Sequence, residues 1–89
     1  MKMYKVSYTK RADRALQKMD RPMRSLIMGW IGKNLVDCEN PRATGKALVG
    51  NLKGLWRYRV GDYRIIADIR DDEVLILVVD VGHRGTVYR

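Results

Sequence analysis

The chain begins with an alternation of apolar and polar residues over residues 4–8, which predicts a half-buried strand. Helical spacing replaces the alternation after Thr9, and Thr9 is expected to cap a helix over residues 10–19. The basic residues of this helix (Arg11, Arg14 and Lys18) fall on one side, which predicts a solvated face. The apolar stripe on the other side has the spacing i, i+3, i+4, i+7 and consists of Ala12, Ala15, Leu16 and Met19.

A second helix is expected to follow Asp20, because an N-cap carboxylate precedes Pro22 in the first turn. Gly29 and Gly32 interrupt this helix, at a cost of about 1 kcal/mol each relative to alanine. Close packing against the first helix is the expected compensation, and Trp30 is interpreted as a core residue. The apolar stripe of the second helix consists of Met23, Leu26, Ile27, Trp30, Ile31 and Leu35.

A long loop and three strands follow the helices. Residues 41–54 contain three glycines and are expected to form a loop, to which Lys46 and Lys53 give a basic character. The continuous apolar run in the last strand predicts a central strand that is covered on both faces. Tight turns at residues 61–62 and 71–72 separate the strands, which are expected over residues 55–60, 63–70 and 73–81.

These elements predict one α+β domain over residues 1–89, with the order β-α-α-β-β-β. A helical hairpin is expected to pack on one face of a small, mainly antiparallel sheet, and the place where the first strand joins that sheet is left open. No apolar stretch approaches the roughly 20 residues that span a bilayer. The single cysteine, Cys38, excludes an internal disulfide. These features predict a cytoplasmic protein without a membrane partner.

The charge of the chain points to a polyanionic partner. Lysine and arginine number 18 against 10 acidic residues, which gives a formal net charge of +8. Such a charge repels itself in the compact state, so a partner that neutralises it is expected. Nucleic acid, and RNA in particular, is the first candidate. An anionic membrane surface and an acidic protein are the alternatives.

Several arginines are placed to form a phosphate site. Because side chains alternate along a strand, Arg57 and Arg59 share one face of their strand, and the following hairpin brings Arg64 to the same side. If the last strand also pairs as a hairpin, Arg84 and Tyr88 come beside them. Arginine binds phosphate oxygens in a planar, bidentate manner, so converging arginines favour phosphate binding.

The chain offers little metal or cofactor chemistry. It has one histidine, its acidic residues 71–73 are adjacent in a turn, and it has no phosphate-binding loop or dinucleotide fingerprint. We therefore expect no metal and no cofactor. RNA cleavage without metal would use the 2′-hydroxyl as an internal nucleophile, helped by cations and by an acid and a base.

Three segments resemble the RelE toxins of the RelE/ParE superfamily. They are GNLKGLWRYRV over residues 50–60, DYRI over residues 62–65 and VGHR over residues 81–84. The resemblance covers nearly the whole chain and implies the toxin of a type II toxin–antitoxin pair. RelE-type toxins cleave mRNA in the ribosomal A site and are held inactive by a cognate RelB-like antitoxin.

The resemblance also implies roles for individual residues. Arg57 and Arg59 stand where well-known members have a basic pair, and Lys46 and Lys53 are further candidates for RNA contact. Arg64 and Arg84 match the two phosphate-contacting arginines of the family. Tyr88 matches a tyrosine that stacks on the substrate base and takes part in catalysis.

The identity of the acid or base is open from the sequence. Arginine cannot replace the lysine base of some members, because it stays protonated. Tyr88 is favoured, since nearby arginines would lower its pKa from about 10. His83, with a reference pKa of about 6.5, is the other candidate, and a hydrogen bond to backbone at the strand end is an equal alternative for it.

Two other functions remain open at this point. One is a ParE-like inhibitor of DNA gyrase, which shares the fold but would bind rather than cleave. The other is a basic RNA-binding module without catalysis.

Overall fold

The computed structural model describes residues 2–87, and its elements change where the sequence pattern changes. Short 3-10 turns occupy Gly50–Leu52 and Asp71–Glu73. The helices and strands are β1 (Lys5–Tyr8), α1 (Lys10–Lys18), α2 (Arg21–Asn34), β2 (Lys46–Ala47), β3 (Trp56–Val60), β4 (Tyr63–Arg70) and β5 (Leu75–His83).

The strands form one mixed sheet in the order β1-β5-β4-β3-β2. β1 runs parallel to β5, and the other neighbouring strands are antiparallel. The α+β prediction is confirmed, and β1 joins the sheet at the edge beside β5. The sequence did not predict β2, which pairs with β3 from within the expected loop. β5 begins later than predicted, because a 3-10 turn precedes it and Val74 adopts a left-handed conformation with φ of 51°.

Thr9 joins α1 to the sheet. Its side-chain oxygen accepts a hydrogen bond from the Ala12 amide at 3.1 Å, as expected of an N-cap, and its hydroxyl also donates to the Val79 carbonyl at 3.0 Å. Asp20 is the N-cap of α2 with Pro22 in the first turn, although its side chain makes no capping hydrogen bond. Both helix starts therefore agree with the sequence prediction.

The core lies between the two helices and one face of the sheet. Trp30 packs at its margin, with its ring 5.5 Å from that of Tyr58. On β5 only one face is fully covered, because Leu75, Leu77 and Val79 remain half-buried; the prediction of a strand covered on both faces is wrong. The largest fully buried side chains are Tyr58, Ile27, Ile31, Leu35, Ile65, Ile76 and Val78.

The helical stripe is narrower than its pattern predicts. Leu26 is 54% exposed, so it lies outside the core to which the stripe assigned it. A Cβ added at Gly29 or Gly32 would meet no atom within 4 Å. Close packing against α1 therefore does not explain these glycines, and that expectation is wrong.

A hydrogen-bonded clamp ties the loop after α2 to the turn before β5. The Arg42 guanidinium donates to both oxygens of Asp71, at 3.0 and 3.1 Å, and the Tyr4 hydroxyl donates to one of them at 2.7 Å. These three residues, named here the Arg42 clamp, fasten the loop to the sheet.

Acid is expected to release the Arg42 clamp. The hydrogen bonds from Arg42 and then Tyr4 hold the pKa of Asp71 below its ordinary value. A carboxyl with a depressed folded pKa stabilises the fold above its unfolded pKa, and this contribution is lost as the pH falls through the folded pKa. The Tm of the wild type should therefore exceed that of Asp71→Asn above about pH 4, the ordinary pKa of an aspartate, and the two should converge as the pH falls further. A difference in Tm that stays constant as the pH falls would contradict the role of the clamp.

Candidate nucleic-acid interface

The hairpin of β3 and β4 carries three arginines on the face of the sheet opposite the helices. In its register Arg59 lies opposite Arg64, and Arg57 lies opposite Ile66. Between the two arginines of β3, Tyr58 points into the core and is fully buried. Strand side chains alternate between faces, so the arginines share the other face, as the sequence predicts.

Arg64 lies at the centre of this group. It is only 9% exposed, and its guanidinium donates to the carbonyls of Gly61 and Tyr63, at 3.4 and 3.2 Å. Burial is the main cause that lowers the pKa of Arg64 from its ordinary value. The positive charges of Arg59, Arg57 and Arg84 lower it further. A buried cation surrounded by like charges gains more from an incoming anion than an isolated surface arginine does.

Arg84 reaches the same group from the end of β5. Its backbone amide donates to the carbonyl of Asp62 at 2.8 Å, which fixes it beside the turn of the β3–β4 hairpin. Its positive charge is one of those that lower the pKa of Arg64. We call Arg57, Arg59, Arg64 and Arg84 the arginine face.

The arginine face has no carboxylate partner within the described chain. Ion pairs in residues 2–87 involve Arg11, Arg42 and Arg70. None of the four guanidinium groups of the arginine face has a described carboxylate within the 4.0 Å of an ion pair. Within residues 2–87, no carboxylate competes with an external anion for these four guanidinium groups.

The chain returns across the arginine face after β5. Gly82 is the register partner of Arg64, and a Cβ at Gly82 would lie 3.3 Å from the Cβ of Val87. Because Gly82 has no side chain, the side chain of Val87, the last described residue, can pack over β5 at the position paired with Arg64. Tyr88, the favoured acid or base, lies outside the described residues.

His83 lies on the other face of the sheet. It is the register partner of Tyr63, and its ring meets the Tyr63 ring edge-on at a centroid distance of 5.6 Å. Because Tyr63 and Arg64 are neighbours on β4, their side chains point to opposite faces. The structure therefore does not bring His83 together with the arginine face.

The two lysine candidates differ in position. Lys46 is the register partner of Arg57, so it extends the basic surface by one strand towards the edge of the sheet. Lys53 is exposed and ends the 3-10 turn before β3, outside the strand register. Of the two, the structure joins Lys46 to the arginine face.

An ion pair across α1 and β5 is absent from the sequence prediction. Asp80 is 6% exposed, and its carboxylate lies 3.2 Å from the guanidinium of Arg11. It also accepts the Val81 amide at 2.9 Å. The helical pattern predicts that Arg11 lies on a solvated face, but in the structure Arg11 pairs with a carboxylate of β5. Periodicity within one helix carries no signal for a partner on a distant strand.

In the described part of the chain, no three histidine, cysteine or acidic side chains are grouped in a way that could hold a metal ion. The helices of residues 2–87 include none that is long and apolar enough to cross a membrane.

Comparison with known families identifies the chain. The family described as "ParE toxin of type II toxin-antitoxin system, parDE" matches residues 6–88. The chain belongs to the RelE/ParE toxins. Within this superfamily it is 30% identical over 86 residues to Toxin RelE of Mycobacterium tuberculosis, covering 97% of this chain and 87% of that toxin. Toxin RelG of the same organism is 29% identical over 86 residues, covering 97% of both chains.

Solved structures place the same fold in RelE toxins. The toxin of the RelBE2 toxin–antitoxin complex from M. tuberculosis has a TM-score of 0.82 at 28% identity, with 97% of both chains covered. The archaeal RelE–RelB complex from Pyrococcus horikoshii gives 0.68 at 25% identity, covering 93% of this chain and 97% of that one. Isolated Escherichia coli RelE has a TM-score of 0.72 at 22% identity, with 90% of this chain and 83% of that chain covered. At this identity the match supports the fold alone. The resemblance that the three motifs indicated is thereby confirmed.

Proposed function

We propose that this toxin is a ribosome-dependent endoribonuclease that cleaves mRNA in the ribosomal A site without a metal ion. The observation that carries the proposal is the arginine face, where four guanidinium groups gather beside the β3–β4 hairpin without a carboxylate partner among residues 2–87. Relatives named RelE toxins support the same activity. A ribosomal substrate would place the toxin in the cytoplasm.

The arginine face suits attack by the 2′-hydroxyl of RNA on the adjacent phosphorus. The bond from phosphorus to the 5′-oxygen of the next nucleotide breaks, which leaves a 2′,3′-cyclic phosphate and a free 5′-hydroxyl. Negative charge grows on the phosphoryl oxygens in the transition state, where Arg64 and Arg84 stabilise it. Arg64 is already largely desolvated, so its charge acts through a low local dielectric.

Proton transfer is assigned to Tyr88 in this proposal. The hydroxyl of the nucleophile must lose a proton and the leaving oxygen must gain one. Arginine stays protonated and cannot accept the proton. His83 lies on the opposite face from Arg64, so it is poorly placed for either transfer.

Binding of the flanking RNA is assigned to the outer part of the basic surface. Arg57 and Arg59 lie on β3 and Lys46 lies on the neighbouring edge strand, where these side chains would contact phosphates on either side of the cleaved bond. Lys53, which lies farther from the arginine face, would serve the ribosome or the outer mRNA. A RelB-like antitoxin is the proposed protein partner, and its acidic side chains would neutralise the same surface.

Primer extension on a defined mRNA tests the proposal. Addition of the toxin to programmed ribosomes should give cuts within the A-site codon, whereas the same mRNA without ribosomes should remain intact. The cuts should persist in EDTA at a concentration that leaves the ribosomes assembled. Absence of cuts with functional ribosomes would overturn the proposal.

Inhibition of DNA gyrase is the second candidate, because the matching family carries the ParE name. Accumulation of cleaved DNA–gyrase complexes, without mRNA cuts, would establish it. A basic binding module would instead bind RNA without forming any product, and its log binding constant would fall with log salt concentration with a slope of about −0.7 per neutralised phosphate.

A further inference from the structure

A pocket of about 220 Å³ opens at the sheet edge beside the arginine face. Its walls are Trp30 of α2, residues 44–46 of the loop before β2, and residues 57–59 of β3. It therefore lies where the helical layer, the edge strand and the basic surface meet.

The pocket exists because β2 is only two residues long. Leu48 donates its amide to the Leu55 carbonyl at 3.0 Å, so residues 48 and 55 form a hydrogen-bonded pair. Such pairs alternate along an antiparallel ladder. The backbone N–H and C=O of Arg57 therefore point towards β2 and its partner Lys46. The N–H and C=O of Arg59 also point towards the β2 side, but β2 has no residue opposite Arg59.

The loop turns away from the sheet before it could cover Arg59. The Thr44 carbonyl accepts a hydrogen bond from the Trp56 indole at 2.8 Å. Gly45 has φ of 85°, and a Cβ there would clash with the Arg57 carbonyl oxygen, so only glycine fits this turn. The result is a backbone donor and a backbone acceptor of Arg59 that are open to a ligand.

The lining of the pocket combines an aromatic ring with cations. Trp30 is half-buried and rests against Tyr58. The side chains of Lys46, Arg57 and Arg59 supply positive charge from the opposite face of the sheet, and none of the lining residues is acidic. Aromatic platforms beside a basic groove are the means by which proteins bind single-stranded nucleic acid. An acidic peptide would use the cations but has no need of the tryptophan.

We infer that this edge pocket binds one nucleotide of single-stranded RNA, next to the segment on the arginine face. The base packs against Trp30 on the helix side and meets the open backbone edge of Arg59, and the nucleotide spans the sheet edge so that Lys46 contacts its phosphate from the opposite face. The inference rests on the proposed function and adds to it a contact that holds RNA without taking part in cleavage. The nucleotide comes from the mRNA or from ribosomal RNA, which share this chemistry.

Binding of a 2′-O-methylated RNA hexamer, which cannot be cleaved by the proposed route, tests the inference in the free toxin. Trp30→Leu should weaken binding by about 5- to 100-fold in fluorescence anisotropy, the range of losing one stacked base. Lys46→Gln, which removes one phosphate contact, should weaken binding and reduce the slope of log Kd against log salt concentration by about 0.7. Lys18→Gln, a matched change on exposed α1, should leave Kd within about 2-fold. The Trp30→Leu effect should vanish when the oligonucleotide is shortened past the nucleotide in the pocket.

Unchanged affinity in both Trp30→Leu and Lys46→Gln, with melting curves that show folded protein, would overturn the inference. So would a loss confined to binding of an acidic antitoxin peptide. Because the hexamer assay needs no cleavage, it stands even if the ribosome assay fails. On programmed ribosomes, slower cleavage by Trp30→Leu only on mRNA that extends past the A site identifies an mRNA nucleotide. Slower cleavage on truncated mRNA as well identifies ribosomal RNA.

Discussion

Replacement of Arg64 by methionine is expected to slow mRNA cleavage on programmed ribosomes by about 10²- to 10³-fold, the usual loss for one transition-state donor. Methionine keeps an unbranched side chain of similar length at a position that is 9% exposed. It removes the cation at the centre of the arginine face together with its hydrogen bonds to two turn carbonyls. It also removes the repulsion from Arg59 and Arg57, which lower the pKa of Arg64.

The loss of cleavage should not reflect a loss of fold. Relief of charge repulsion offsets the lost hydrogen bonds, so the Tm of Arg64→Met should stay within roughly 4 °C of the wild type, about the effect of 1 kcal/mol in a domain of this size. Arg14→Met is the matched control, since Arg14 is an exposed arginine on α1. Cleavage by Arg64→Met at the wild-type rate, with an unchanged Tm, would remove Arg64 from the mechanism.

Truncation of Ile31 to alanine is expected to lower the free energy of unfolding by about 2–5 kcal/mol. Ile31 is 1% exposed and lies within the core between α2 and the sheet, so its removal leaves a cavity that the surrounding strands fill only in part. Urea denaturation followed by circular dichroism measures the change, with the midpoint and the slope fitted separately.

Leu26→Ala is the matched control on the same helix. The two residues belong to one apolar stripe in the sequence, but Leu26 is 54% exposed. Its truncation should change the free energy of unfolding by less than about 0.5 kcal/mol, as for other surface positions. Equal losses in the two variants would show that α2 packs through a wider face than the structure describes.

Local patterns in the sequence predicted the fold where neighbours along the chain decide the outcome. Alternation predicts that Arg57 and Arg59 share one face of β3, and the cap at Thr9 predicts the start of α1. The patterns failed where the partner is remote. Leu26 fits the helical spacing, yet no element of the described chain covers it. The Arg11–Asp80 ion pair joins residues 69 positions apart by their numbering, and spacing within one helix gives no sign of it.

The candidate site shows the same division. Strand alternation brought Arg57, Arg59 and Arg64 together before the structure was known. The separation of His83 from them follows from its register with Tyr63, which depends on how β5 pairs with β4. The edge pocket depends on the short β2, which has too few residues for its own pattern to be recognised. Tyr88 lies beyond the described residues, and its role remains a prediction.

The position of β5 in the sheet has a consequence for the order in which the toxin can fold during synthesis. β5 lies between β1 and β4, although it is the last strand of the described chain and β1 is the first. While the ribosome is still making residues 75–83, β1 has no partner in the sheet and the core remains open. Non-local pairing of this kind delays folding until the late strand is available. The sheet of residues 2–87 therefore closes only once residues 75–83 are available, and both β1 and β4 keep an unpaired edge until then.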